Sequence, residues 1–318
     1  TPLTGIAKLI YHFHAGRRTM LRKSLNRALC GQHFNTIVSF MEGPAMLAHT
    51  LIMSKADRNI SWVHTNMVQN PWADFCFRSN EEASHLYNKM NEVVFVSDDA
   101  RIAHLQRYTY TGESKVIYNL IPTEVIRKKS DEPIPYPKKA DLLLCTVGRL
   151  SPEKAQTRLI DAVADLNCRF KINAEAWIIG DGDLLDTLKN YVREKGVGEK
   201  VTFYGFQTNP FPFVKASDIF VLTSKAEGFS LVVAEAMVLG KPVVSTKVSG
   251  PIELLAEGGG VLTSHSPKDI ARAIADLWTD KAAMQACSAR TLQRAAQFNP
   301  EATMQQIYHA IDGEKDHD

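Results

Sequence analysis

Apolar residues occur in short blocks separated by polar stretches, and the spacing inside each block sorts strands from helices. In the first part of the chain, residues 36–40, 60–63, 93–97 and 115–118 read as strands. Helical stretches over 44–54 and 98–108 alternate with them. Strand alternating with helix predicts a parallel, doubly wound α/β sheet, whose ligands sit at the carboxyl ends of the strands. The charged segment 128–140 follows, with Pro133, Pro135 and Pro137 close together, and reads as an exposed linker. A second series then opens with strands at 142–147, 176–179, 201–205, 219–224, 242–244 and 258–263. Its helices are expected near 156–166 and 269–278, with a closing helix over 302–311. The pattern predicts two Rossmann-like doubly wound domains. The first covers 1–127 and the second 141–297, with a closing crossover helix and tail over 298–318.

Composition narrows the class. The 318 residues are 45% hydrophobic, enough for two ordinary cores. No run of about 18 apolar residues occurs and no short apolar block follows a basic start, so the expected location is the cytoplasm. The five cysteines Cys30, Cys76, Cys145, Cys168 and Cys287 lack CxxC spacing and read as reduced, mostly buried thiols rather than a metal site. Net charge is +2, unevenly placed: 18 basic against 12 acidic residues in 1–140, and 19 against 23 beyond. No acidic residue precedes Glu42, whereas Lys8, Arg17, Arg18, Arg22, Lys23 and Arg27 all do. Such a segment suits the anionic cytoplasmic face of an inner membrane or a phosphorylated acceptor; a solvated helix face is the bland alternative. Nucleic acid is disfavoured because no aromatic interleaving or recognition helix accompanies the charge.

The stretch from Glu227 to Ser245, EGFSLVVAEAMVLGKPVVS, organises the chain. Strand 219–224 leads into a loop holding Glu227 and Gly228. Leu231, Ala234, Met237 and Val238 then recur at helical spacing until Gly240 and Pro242 stop the helix. The backbone N–H groups of Phe229, Ser230 and Leu231 would point out of its first turn and form a phosphate site. A carboxylate there repels phosphate and is better suited to accept hydrogen bonds from sugar hydroxyls. A second cationic element, Gly148-Arg149-Leu-Ser-Pro-Glu-Lys154, closes strand 142–147. Gly148 allows a sharp turn, and Arg149 with Lys154 would match the two charges of a diphosphate. A dehydrogenase would carry GxGxxG at this first turn; here Gly180-Asp-Gly-Asp183 closes the second strand instead, which argues against NAD.

Glu227 and Glu235, separated by seven residues in EGFSLVVAEAMVLGKPVVST, resemble the signature of retaining glycosyltransferases of the GT-B fold, family 4 above all. The resemblance implies that Glu227 holds hydroxyls of the donor sugar and Glu235 the nucleotide ribose. It implies further that GRLSPEK is the donor-diphosphate clamp, and that backbone around Gly205, Phe206 and Gln207 edges the nucleobase. His64, in the HTN element after strand 60–63, is similar to the active-site His or Asp of that family near the donor sugar. Ser39-Phe-Met-Glu42-Gly-Pro44 is similar to its acceptor-side strand end. The segments 94–100 and 116–122 match further family patterns, with Leu120 where a glycine is usual. Asn209-Pro210 and Ser249-Gly250-Pro251-Ile-Glu253 look like the branch that builds bacterial surface polysaccharides and lipopolysaccharide, often from UDP-sugars. The family begins with a strand and a Gly-rich loop; residues 1–35 show neither, so about 40–70 residues of a typical first domain are expected to be missing at the amino terminus.

The implied activity is retaining transfer of a hexose or N-acetylhexosamine from a nucleotide sugar, UDP by preference, to a lipid-linked or polysaccharide acceptor. No metal or other cofactor is expected, since no DxD pair follows a strand where a metal-dependent transferase needs one. Two alternatives remain open: an incomplete fragment that binds nucleotide sugar without transferring it, and a GT-B epimerase or pyridoxal-dependent phosphorylase.

Overall fold

The computed structural model describes residues 18–256 and 258–313, so Lys8, Arg17 and the last five residues lie outside the description. The described chain forms two compact units, 18–119 with 301–313, and 120–300.

In the first unit residues 18–28 are helical. Four parallel strands follow, β1 Phe34–Ser39, β2 Ala56–Val63, β3 Glu92–Phe95 and β4 Glu113–Val116, paired in sequence order. Each is joined to the next by helix, as parallel pairing requires. Only β3 is buried along its whole length, because the helices cover the middle of the sheet and leave its margins partly exposed. Helix Pro300–Asp312 belongs here although it ends the chain: Thr36 Oγ1 donates to Ile311 O at 2.7 Å and Arg58 Nε to Ala310 O at 3.2 Å.

One core contact of this unit carries a stability prediction. His104, on helix Asp98–Arg107, lies among the rings of Tyr87, Phe95, Tyr108 and Tyr110. Both ring nitrogens are buried without a hydrogen-bond partner among the described residues. Burial pushes the imidazole down to about 3 from its ordinary 6.5. The folded state therefore keeps His104 neutral while the unfolded chain protonates, and stability drains away as pH falls from 6.5 toward 3. His104→Leu is expected to stabilise the unit by about 1 kcal/mol at neutral pH and to flatten this acid limb. Denaturant titrations at pH 7.5 and pH 5 check it; an unchanged acid slope contradicts it.

The second unit holds six parallel strands, β5 Leu142–Val147, β6 Ala174–Ile179, β7 Val201–Gly205, β8 Ile219–Leu222, β9 Val243–Thr246 and β10 Gly260–Thr263. Their spatial order is β10-β9-β8-β5-β6-β7. The order reverses between β5 and β8, and that reversal is where such sheets bind ligands. The apolar runs LLLC and IFVL are buried on both faces because helices cover both, so they do not alternate. Helix Thr123–Lys129, predicted within the first domain and linker, packs instead on helices Phe211–Ala216 and Leu231–Val238 of the second unit. The proline segment is exposed but anchored: Tyr136 stacks 4.5 Å from Tyr204, and Lys138 pairs with Asp218 at 2.6 Å.

Candidate active site

At the order reversal, loops leaving β5 and β8 are laced together. Lys225 N donates to Glu153 O at 2.7 Å, and Thr223 Oγ1 to Lys154 O at 2.9 Å. Arg158 Nη1 donates to Thr223 O at 2.8 Å, and Thr246 Oγ1 to Ser224 O at 2.7 Å. These bonds consume the polar groups of two irregular loops, which a buried turn must do. They also bring Lys154 to Glu227: Nζ donates to Oε1 at 2.6 Å, and Ser224 Oγ donates to the same oxygen at 2.6 Å. Glu227 is mostly buried and Lys154 about one quarter exposed. Both bonds fall on Oε1, which leaves Oε2 for a hydroxyl donor.

The loop after β5 is braced from the other side by the Gly-Asp-Gly-Asp turn. Gly148 N donates to Ile179 O at 2.9 Å and Leu150 N to Asp181 O at 2.9 Å. A Cβ on Gly180 would lie 2.0 Å from Gly148 O, and one on Gly182 2.5 Å from Leu150 O. These glycines are therefore packing requirements that hold the cationic turn in place. Sequence reasoning used them only to exclude a dinucleotide.

Helix Leu231–Val238 begins two residues later than the expected phosphate turn. Phe229 is buried in the preceding loop, and Ser230 takes a left-handed φ of 69° with its hydroxyl buried and unpartnered among the described residues. The left-handed Ser230 backbone keeps the helix from extending back into the loop, which lies close to Gly250: a Cβ there would sit 2.1 Å from Phe229 O. The first helical turn has no side-chain cap and no acidic residue, so its amides and dipole still favour an anion. Ala155, just after Lys154, is also left-handed, with φ 49°. Non-glycine residues rarely adopt this conformation, and two of the three among the described residues flank this site.

Glu235 is the fifth residue of the helix, half-buried, and burial raises its carboxyl to about 7. Arg149 is exposed and makes no ion pair among the described residues. It lines a cavity of about 520 Å³ with Ser151, Glu153, Asp181 and Asp183. Of the two cations expected to face a diphosphate, Lys154 is paired with Glu227, while Arg149 shares its cavity with Glu153, Asp181 and Asp183. Gly205 ends β7 with φ 68° and open space beside it, followed by the highly exposed Phe206.

In the first unit, His64 follows β2. Its ring lies edge-on to Phe40 at 4.9 Å, and Nε2 is buried without a partner. Burial lowers its pKa, against the opposing pull of Glu42 and of a bond to the Phe40 backbone.

Residues 127–294 match the Glycosyl transferases group 1 family model, more than half of the chain. The chain belongs to the glycosyl transferases group 1 family. It is 32% identical over 173 residues to the lipopolysaccharide core biosynthesis glycosyltransferase LpsE of Rhizobium meliloti, covering 54% of this chain and 46% of that protein. It is 34% identical over 144 residues to an N-acetylgalactosaminyltransferase of Campylobacter jejuni that acts on a diphospho-undecaprenol-linked saccharide, covering 45% and 38%. The chain spans about half the length, or less, of the curated relatives it matches. Its fold is similar to that of HepE from Anabaena in complex with UDP, with TM-score 0.76, 22% identity, and coverage of 91% of this chain and 81% of that one. Two parallel Rossmann-like sheets of four and six strands in this family are the GT-B fold; the strand pattern predicted the two sheets and the family resemblance implied GT-B.

Proposed function

We propose that the chain transfers a hexose or N-acetylhexosamine, with retention, from a UDP-sugar to a lipid-linked or saccharide acceptor. The observation that carries this is the Lys154–Glu227 pair beside an uncapped helix tip at the order reversal of the second sheet. Lys154 and the amides at Leu231 neutralise the leaving diphosphate, where charge develops. Glu227 Oε2 accepts a sugar hydroxyl, Glu235 the ribose hydroxyls, and the Gly205–Phe206 turn borders the base. His64 accepts a hydroxyl at the reacting sugar. Arg149 serves the diphosphate by swinging from its exposed position. Positive charge at the diphosphate comes from the protein, so no metal is assigned a role. The UDP in HepE and the acceptors named for the lipopolysaccharide and undecaprenol-linked relatives support this reading.

A peripheral position on an anionic membrane surface fits the exposed face of helix 18–28, where Met20 and Leu21 stand beside Arg22, Lys23 and Arg27. No helix among the described residues is long and apolar enough to cross a membrane.

Product analysis with UDP-sugars, with and without saccharide acceptors, tests the reaction. Sugar transferred only when acceptor is present supports it. An epimerised sugar formed without acceptor, or UDP bound with no turnover in either case, contradicts it.

Glu235 adds a pH signature. Ribose hydroxyls donate to a carboxylate, so binding favours its ionised form and releases a proton below about pH 7. UDP affinity is expected to rise between pH 6 and 8 in wild type, and by less in Glu235→Gln, as calorimetry in buffers of different ionisation enthalpy would read. Identical slopes contradict the ribose role.

A further inference from the structure

Glu42 is fully buried, and the transfer chemistry above does not use it. Its Oε2 accepts the backbone N–H of His64 at 2.9 Å, and its Oε1 the indole N–H of Trp72 at 2.9 Å. No Lys or Arg pairs with it among the described residues. A carboxylate buried against neutral donors alone is a costly choice where a neutral side chain would fill the space.

The geometry explains what it holds. Glu42 lies on the loop leaving β1, and His64 opens the loop leaving β2. Next to Glu42, Gly43 has φ 74°, and a Cβ there would meet Ala73 at 3.0 Å and Trp72 at 3.1 Å. The loop is thus pressed onto the 72–73 segment and the carboxylate cannot swing away. Phe40 closes the other side, its ring 4.9 Å from the imidazole and its backbone bonded to it. Nε2 is the nitrogen without a partner, so Nδ1–H makes the Phe40 bond and Nε2 is left as an acceptor. Phe40 and Trp62 bring no charge to this cluster, and Glu42 is the charged group that acts on the ring.

We propose that Glu42 is a positioning residue for His64, fixing the loop and the imidazole so that Nε2 is kept as the acceptor nitrogen. This rests on the reading of His64 as a participant in transfer.

The test uses the full chain, with the His64 signal in long-range ¹H–¹⁵N spectra assigned by its loss in His64→Gln. Glu42→Gln removes the charge and one acceptor, and the His64 midpoint is expected to fall by about one unit. With donor and acceptor, Glu42→Gln should lower kcat about tenfold with KM for the nucleotide sugar within about twofold, and add nothing to His64→Ala. Trp72→Phe strips a donor from the carboxylate but keeps its charge, so it should move the midpoint up even if Glu42→Gln does not fold. An unmoved midpoint in folded Glu42→Gln, a fall in Trp72→Phe, or a full Glu42→Gln penalty in the His64→Ala background overturns the proposal. If no variant transfers sugar, wild type included, the transfer reading fails while the titrations still judge Glu42.

Discussion

Lys154→Ala and Glu227→Ala are each expected to lower turnover of a nucleotide sugar by about 10²-fold or more. The two should differ in how they do it. If Lys154 holds the diphosphate, as proposed, its loss should weaken binding of UDP itself as well as the transfer step. If Glu227 meets the sugar, as proposed, its loss should lower kcat with UDP-sugar while UDP affinity stays within a few-fold of wild type. Lys154 and Glu227 are ion-paired at 2.6 Å, so on the proposed reading a diphosphate competes with Glu227 for the Lys154 ammonium. Steady-state rates and UDP titrations of folded variants check both parts. Rates within a factor of about three of wild type for either variant contradict the assignment.

The second large effect is structural. Gly180→Ala is expected to destabilise the second unit by about 3 kcal/mol and to abolish nucleotide binding, because its Cβ would collide with Gly148 O at 2.0 Å while φ is 138°. The only escape is to push the β5 loop, and Lys154 with it, off its bonds to the β8 loop. Gly205→Ala is the matched control: φ is 68° but nothing lies within 4 Å, so it should cost only about 1 kcal/mol of backbone strain. Denaturant unfolding of both variants separates collision from strain. Equal destabilisation would contradict the account of the Gly-Asp-Gly-Asp turn.

Strands of the second unit were legible because their apolar runs are long and bounded by glycine and proline; β5 falls on the predicted residues. Helices that pack on other helices rather than on a sheet were harder to read. Lys281–Ala295 was missed because its buried positions are few, Cys287, Thr291 and Ala295, although Asp280 caps it by accepting from Ala283 N. Helix Leu231–Val238 starts later than expected because Ser230 just before it is left-handed, a conformation that the local pattern of Ser and apolar residues does not mark. At the candidate site, motif and spacing point to Lys154, Glu227 and Glu235 as candidates. Their arrangement was not legible: Ser224 on Glu227, Arg158 on the β8 loop and the Glu42–His64–Trp72 cluster depend on tertiary pairing that no local pattern records.

The central claim is that Lys154 beside the helix tip at Leu231 recognises a pyrophosphate. Calorimetric titration of UDP and of uridine against wild type and Lys154→Ala measures this directly. UDP should bind wild type at least about tenfold more tightly than uridine, and Lys154→Ala should erase most of that difference. Equal affinity for UDP and uridine, or a difference indifferent to Lys154, contradicts it.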